Sequence, residues 1–165
     1  MPESKLLRPT PDRVRETLFN WLQPFISGAS CLDLYAGTGA LGFESVSRGA
    51  EKVVLVENDP VLAKQLAENI KTLDASEVLL ERSEALSWLK HNSAKFDLVF
   101  LDPPFGQGLI EKSCGLLRET NCLKPQALIY IEAEPELELP EYLTIKKQGK
   151  AGHVKYLLVE MGDGI

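Results

Sequence analysis

The sequence has few cysteines and no long apolar run. Its three cysteines, Cys31, Cys114 and Cys122, form no C-x-x-C pair, so neither a disulfide framework nor a zinc site is indicated. No apolar stretch approaches the ~20 residues that span a bilayer. The opening letters MPESKLL lack the long apolar core of a secretory signal. These features predict a cytoplasmic protein that needs neither a membrane nor a metal.

Positive charge is also scarce. The 18 Lys and Arg residues stand against 24 Asp and Glu residues, which gives a net charge of -6. This is the wrong sign for a protein that holds nucleic acid by phosphate contacts alone. Much of the acid lies in IEAEPELELPE, residues 131–141, which is typical of a solvated acidic loop. We therefore expect any nucleic-acid partner to be bound through local contacts or with help from other molecules.

Short apolar runs alternate along the chain with segments of helical periodicity. At 165 residues and 44% hydrophobic content, the chain fits one globular domain over residues 1–165. An opening helix is predicted over 11–22, with Thr10 as its N-cap and Pro11 at its first position. The next strands are predicted at 30–35, 52–57, 77–81, 96–102 and 127–133, and the helices at 40–48, 60–73, 84–91 and 109–118. This alternation predicts a parallel sheet with helices on both faces.

The end of the chain breaks the alternation. Apolar runs at 142–148 and 153–161 are separated only by residues 149–152, which is too short for a parallel crossover but sufficient for a hairpin. The fold class is therefore α/β, with a seven-stranded, mostly parallel sheet that ends in an antiparallel hairpin. This is the layout of the Rossmann-like class I methyltransferases, whereas dinucleotide dehydrogenases usually keep parallel strands. The comparison is a fold-level analogy.

A glycine-rich turn follows the first predicted strand. In LDLYAGTGALGFE, residues 32–44, Gly37, Gly39 and Gly42 fit the G-x-G-x-x-G pattern, and Glu57 follows Gly37 by twenty residues. The glycines let a ligand approach the backbone, and a carboxylate such as Glu57 can accept from both ribose hydroxyls. The pattern suits an adenosine cofactor or NAD, and a tight strand-to-helix turn without a ligand is the simpler alternative.

Two acidic residues favour S-adenosyl-L-methionine over NAD. Asp33 lies within the first strand, four residues before Gly37, where a buried carboxylate could organise the turn and bind the ammonium of a methionine moiety. Glu84 follows the third strand and could accept from an adenine exocyclic amine. The alternative for Glu84 is an acid that merely favours a helix start.

The stretch FDLVFLDPPF, residues 96–105, ends a buried strand in an acceptor-rich corner. An exocyclic amine of a base is a poor nucleophile because its lone pair is delocalised into the ring. The Asp102 carboxylate and the Pro103 carbonyl could bind the two N–H hydrogens and stabilise the positive charge that develops on nitrogen. Pro103 and Pro104 add rigidity and lack competing N–H donors. Phe105 offers a face for an unstacked base.

Together, RPTPDRVRETLFNWL, LDLYAGTGALGFESVSRGA, VENDP and FLDPPF resemble the RsmD family of bacterial ribosomal RNA guanine-N2 methyltransferases. The resemblance runs from about residue 7 to the end. It implies S-adenosyl-L-methionine as cofactor and 16S rRNA as partner, in a small ribosomal subunit or an assembly intermediate. By resemblance, the cofactor-binding residues are Asp33, Gly37, Gly39, Glu57 and Glu84; the catalytic residues are Asp102, Pro103, Pro104 and Phe105; and the substrate-binding residues are Arg8, Thr10 and Arg13.

One departure from the family pattern bears on the substrate. Family members usually begin with a basic, glycine-containing arm before RPT, whereas only MPESKLL precedes it here. We therefore expect RNA assembled with ribosomal proteins to be a better substrate than naked RNA. The alternatives are an N-methyltransferase acting on DNA adenine or protein glutamine, an NAD-dependent oxidoreductase, and a binding module without catalysis.

Overall fold

A computed structural model describes residues 10–162 of the chain. The first element is helix α1, Asp12–Leu22, which buries Val14, Leu18, Phe19 and Leu22 on one face as the periodicity predicts. Its N-cap is Pro11, and no side chain caps the helix. The predictions that Thr10 is the N-cap and that Pro11 is the first helical residue are therefore wrong. The hydroxyl of Thr10 instead donates to Glu132 Oε2 over 2.8 Å, because the residue is buried against the sheet rather than turned toward the helix.

The remaining elements follow the predicted alternation of strands and helices. In chain order they are β1 Ser30–Asp33, α2 Ala40–Ser47, β2 Lys52–Val56, α3 Pro60–Thr72, β3 Val78–Glu81, α4 Ala85–His91, β4 Phe96–Leu101, α5 Leu109–Glu119, β5 Leu123–Ala133, β6 Leu143–Ala151 and β7 Val154–Met161.

The seven strands form one sheet in the order β3-β2-β1-β4-β5-β7-β6. Strands β1 to β5 pair in parallel, whereas β7 runs antiparallel to both β5 and β6. The predicted mostly parallel sheet with a terminal antiparallel hairpin is confirmed. The strand order reverses beside β1 and β4, and ligands of open α/β sheets bind at such a point, outside the carboxyl ends of the strands.

Two strand boundaries differ from the prediction by three residues or more, and the others differ by at most two. Strand β5 begins at Leu123 rather than at residue 127, and residues 124–127 bulge out before pairing with β4 resumes at Leu128. The bulge includes Pro125, and Gln126 has a φ of 65°, so the local pattern does not read as a strand. Strand β6 continues to Ala151, and the hairpin turn is only Gly152 and His153.

The core has two layers, one on each face of the sheet. Helices α1, α2 and α3 pack on one face, and helices α4 and α5 pack on the other. Alternate residues of β1 serve the two layers: Cys31 belongs to the first and Leu32 to the second. This two-sided burial explains why the parallel strands are nearly continuous apolar runs. Within residues 10–162, no helix combines the length and apolar character needed to cross a lipid bilayer.

Candidate functional site

The carboxyl edge of the sheet brings the predicted acidic residues together. Asp33 ends β1, Glu57 follows β2, Glu84 precedes α4, and Asp102 follows β4. A cleft of about 480 Å³ opens at this edge. Its lining includes Gly37, Glu57, Glu84, Asp102 and Pro104. Residues predicted to bind a cofactor and residues predicted to act on a substrate therefore share one cleft.

The glycine turn between β1 and α2 has two kinds of glycine. Gly37 has a φ of 58° and lines the cleft, so its bare backbone faces the space where a ligand would lie. Gly39 is the N-cap of α2 with a φ of 82°. A Cβ on Gly39 would lie 2.6 Å from atoms of both Leu66 and Phe43. Gly39 is therefore required by the packing of α2 as well as by its backbone conformation.

The Glu57 carboxylate binds two backbone N–H groups of the cleft lining. Its Oε1 accepts from the N–H of Gly37 over 2.7 Å, and its Oε2 accepts from the N–H of Asp59 over 2.9 Å. Each carboxylate oxygen can accept a further hydrogen bond. Glu57 can thus fix the glycine turn and still accept from ligand hydroxyls.

Asp33 is a buried carboxyl group with an unsatisfied atom. Its side chain is 2% exposed, and its Oδ2 has no hydrogen-bond partner among the described residues. Burial raises the pKa of Asp33 to about 7; the N–H of Gly42 opposes this shift, while the nearby Glu57 and Glu132 carboxylates add to it. An orphaned acceptor among other acids is costly unless a donor or cation meets it. The residues that line the cleft do not include Asp33, so its predicted contact with the cofactor stays a prediction.

Glu84 caps helix α4. Its Oε1 accepts from the N–H of Ser87 and its Oε2 from the N–H of Leu86, each over 2.9 Å. The simpler alternative for this residue, an acid at a helix start, thus describes what it does here. The side chain is exposed and also lines the cleft, so its predicted contact with an adenine amine stays a prediction.

The Asp-Pro-Pro-Phe corner joins β4 to α5. Pro103 is buried, while Asp102 and Phe105 are half-buried. After Phe105, the N–H of Gly106 donates to Glu134 Oε2 over 3.2 Å. The backbone of Gly106 has a φ of 78°. This bond ties the corner to the segment after β5, and sequence reasoning missed it.

A buried hydrogen-bond network anchors the start of α1 beside this corner. Glu132 Oε2 accepts from the hydroxyls of both Thr10 and Tyr130, each over 2.8 Å. Glu132 is 2% exposed, so the prediction of a solvated acidic loop over 131–141 is wrong for this residue. The first three residues of that segment belong to β5, and strand alternation turns Tyr130 and Glu132 to the same face. The alternation of side chains along β5 could therefore have indicated from the sequence that Glu132 is buried.

The three residues predicted to bind substrate have different outcomes. Thr10 lies near the carboxyl end of β5, where its hydroxyl donates to Glu132. Arg13 is exposed on the first turns of α1. Arg8 lies outside the described residues.

Comparisons with known proteins agree with this arrangement. The family model described as "Conserved hypothetical protein 95" matches residues 1–160. A Haemophilus influenzae protein named "Ribosomal RNA small subunit methyltransferase D" is 48% identical over 163 residues, covering 95% of this chain and 84% of that protein. The Escherichia coli K12 protein of the same name is 44% identical, covering 97% of this chain and 82% of its own length.

Solved structures share the fold. A putative methyltransferase from Escherichia coli superposes with a TM-score of 0.89 at 44% identity, covering 96% of this chain and 89% of that one. An RNA methyltransferase from Salinibacter ruber in complex with S-adenosyl-L-homocysteine has a TM-score of 0.76 at 16% identity, covering 96% of each chain. The predicted Rossmann-like methyltransferase fold is confirmed. The chain belongs to the family described as "Conserved hypothetical protein 95", which is the RsmD family that its motifs resemble.

Proposed function

We propose that this chain uses S-adenosyl-L-methionine to methylate the exocyclic N2 amine of a guanine in 16S rRNA. The observation that carries the proposal is the shared cleft, whose lining includes both Asp102 with Pro104 and Gly37 with Glu57. The names of its relatives, "Ribosomal RNA small subunit methyltransferase D", support an rRNA substrate. The guanine N2 target rests on the acceptor-rich corner and on the family resemblance.

The cofactor would be held by Asp33, Gly37, Gly39, Glu57 and Glu84. Glu57 and Glu84 line the cleft, where Glu57 suits ribose hydroxyls and Glu84 suits the adenine amine. Asp33 is assigned by the family resemblance, and it is buried beneath the glycine turn. The Salinibacter ruber neighbour, which has the same fold, is described with S-adenosyl-L-homocysteine bound, and this supports the assignment. When bound, the cofactor supplies a methyl group already activated by a positively charged sulfur.

The residues of the corner would prepare the nucleophile. The Asp102 carboxylate and the Pro103 carbonyl would accept the two N–H hydrogens of the guanine amine and direct its lone pair into the cleft. As positive charge develops on that nitrogen, the Asp102 carboxylate stabilises it and can take the released proton. Pro103 and Pro104 present no N–H group to these acceptors. Phe105 would support the unstacked base.

The RNA partner would be a small ribosomal subunit or an assembly intermediate, in the cytoplasm. A net charge of -6 implies few phosphate contacts from this chain, and ribosomal proteins can supply additional ones. Thr10 and Arg13, at the start of α1, would approach the RNA, as would Arg8.

The test is transfer of a labelled methyl group to four substrates in parallel. Small ribosomal subunits, protein-free 16S rRNA, duplex DNA and total protein are incubated with the chain, and the modified residue is mapped by mass spectrometry. We expect N2-methylguanine in the small subunits, less on protein-free RNA and none on duplex DNA. N6-methyladenine in DNA or methylglutamine in protein as the sole product would overturn the proposal.

A further inference from the structure

Positive charge is concentrated in the terminal hairpin, Leu143–Met161. This hairpin, strands β6 and β7 with their turn, has four lysines, Lys146, Lys147, Lys150 and Lys155, and one acid, Glu160. The rest of the chain has 14 basic and 23 acidic residues. The hairpin therefore has a net charge of +3 within a chain of net charge -6, and the remainder has -9.

The basic end of the hairpin lies at the catalytic edge of the sheet. Strand β7 is antiparallel to β5, and Ala133, the last residue of β5, pairs with Lys155. Lys155 in turn pairs with Lys150, so the turn extends beyond the same edge as Asp102. Only β5 and β7 separate β6 from β4, which corresponds to roughly 14 Å across the sheet. A strand of RNA whose base entered the corner could reach the hairpin within a few nucleotides.

The hairpin lysines are poorly neutralised by the protein. Lys150 and Lys155 are directly opposite each other, and like charges in that position are destabilising. Lys155 Nζ donates to the carbonyl oxygen of Leu137, and Lys146 pairs with Glu160 at 3.6 Å. Among residues 10–162, neither Lys147 nor Lys150 has an ion pair, and both are exposed. An external anion would relieve this repulsion.

Protection of the sheet edge explains only part of this pattern. Lysines on an edge strand discourage pairing with another chain, and β6 is an edge strand. This accounts for Lys147. It does not account for Lys155, which lies on the inner strand β7 and faces a second lysine.

We propose that the β6–β7 hairpin binds RNA phosphates that flank the target nucleotide, through Lys150 and Lys155 at its turn. The inference rests on the proposed function, since it places the RNA relative to the Asp102 corner. Local positive charge of this kind positions a nucleic acid without reading its sequence. It also explains how a chain of net negative charge can hold an RNA: a small basic surface at the catalytic edge makes the contacts.

A charge-matched pair of double variants tests the hairpin. Lys150→Gln/Lys155→Gln removes the two positive charges that face each other at the turn of the hairpin. The control, Lys52→Gln/Lys71→Gln, replaces two exposed lysines at the start of β2 and the end of α3. Both lie near the amino ends of the parallel strands, away from the cleft. The KM for small ribosomal subunits and the equilibrium binding of 16S rRNA are measured across a series of KCl concentrations.

We expect the hairpin variant to bind RNA with a shallower salt dependence. Each lost phosphate contact on a single strand reduces the slope of log affinity against log salt by ~0.7, so two contacts reduce it by about 1.4. Near 0.1 M salt this corresponds to a rise in KM of roughly tenfold or more. The control variant should keep the wild-type slope and KM, and both variants should bind S-adenosyl-L-methionine as the wild type does.

The outcomes separate this inference from the proposed function. Equal slopes and equal KM in the hairpin variant, the control and the wild type would overturn the hairpin inference while leaving the methyltransferase intact. Self-association of the hairpin variant with unchanged RNA binding would likewise overturn it, in favour of edge protection. If no substrate accepts a methyl group from the wild type, the proposed function fails, and the binding measurement still decides whether the hairpin contacts RNA.

Discussion

Glu57 Oε1 accepts a 2.7 Å hydrogen bond from the backbone N–H of Gly37. The acid that follows β2 therefore fixes the turn that follows the neighbouring strand β1. Glu57 and Asp102 both line the cleft, but Asp102 follows a different strand, β4. Loss of Glu57 should therefore disturb the glycine turn, and loss of Asp102 should disturb the Asp-Pro-Pro-Phe corner.

This contrast predicts different defects for two variants. Glu57→Ala should weaken S-adenosyl-L-methionine binding by roughly 1.5 to 3 kcal/mol, because a charged acceptor is lost. Asp102→Ala should leave that binding nearly intact and slow methyl transfer by about two orders of magnitude, because its hydrogen bond strengthens as charge develops. Calorimetric titration and single-turnover rates provide the two measurements. The reverse pattern would show that the roles of the two carboxylates are assigned the wrong way round.

Cofactor identity predicts a selective thermal shift. S-adenosyl-L-methionine or S-adenosyl-L-homocysteine should raise the melting temperature, since a ligand that binds only the folded state stabilises it by mass action. NAD should produce no shift at the same concentration. Differential scanning fluorimetry with the three ligands makes the comparison, and stabilisation by NAD alone would support the oxidoreductase alternative.

The buried Asp33 predicts an unusual dependence of stability on pH. Its pKa rises from an ordinary 3.8 to about 7 in the folded chain, chiefly through burial. Between these values the folded state binds a proton that the unfolded chain has lost, so stability falls as pH rises through this window. The slope from this group is up to about 1.4 kcal/mol per pH unit.

Replacing Asp33 isolates that contribution. Asp33→Asn cannot titrate, so its free energy of unfolding should decline less steeply than that of the wild type from pH 5 to pH 7. Urea denaturation of both proteins without cofactor, at pH 5, 6, 7 and 8, measures the difference. Parallel curves would mean that Asp33 is already ionised in the folded chain at pH 5.

Two glycines on helices predict opposite effects of the same substitution. A Cβ on Gly42 would lie 2.4 Å from Leu55 Cδ2, so Gly42→Ala should force α2 away from the sheet and cost ~1 to 3 kcal/mol. Gly115 lies within α5 with nothing within 4 Å of the added Cβ. Gly115→Ala should stabilise the protein by roughly 0.5 to 1 kcal/mol. Urea denaturation of the two variants checks the sign of each effect.

The local sequence pattern was sufficient to predict the helices and strands and to place the acidic residues at the strand ends. The positions of Asp33, Glu57 and Asp102 follow from strand length and parallel topology, since carboxyl ends of parallel strands share one edge. The hairpin was predictable because a short connection permits only antiparallel pairing.

Long-range contacts were not predictable in this way. Thr10 and Glu132 are separated by 122 positions, and no local pattern pairs a hydroxyl with a particular distant acid. The bulge at residues 124–127 depends on the pairing of β5 with β4, and this pairing cannot be predicted from the residues of β5 alone. The bond between Glu57 and Gly37 also depends on the closeness of two turns from different strands.

The bond between Gly106 and Glu134 predicts a positioning role for Glu134. The N–H of Gly106, directly after Phe105, donates to Glu134 Oε2 over 3.2 Å, and the left-handed backbone at Gly106 has open space around it. Glu134→Ala should let the segment after Phe105 move and lower kcat about tenfold, because misplacement of a reacting base is costly. Cofactor affinity and melting temperature should change little, since Glu134 lies outside the cofactor residues and is half-buried.

Two further variants make this prediction specific to the hydrogen bond. Glu134→Gln keeps an oxygen acceptor for the N–H of Gly106, so it should restore kcat to near the wild-type value. Glu136→Ala removes an exposed acid two residues away and controls for the change in charge. If the glutamine variant were as slow as the alanine variant, the charge of Glu134 rather than its bond to Gly106 would be responsible. If Glu136→Ala were equally slow, the acidic segment as a whole would be acting on the substrate.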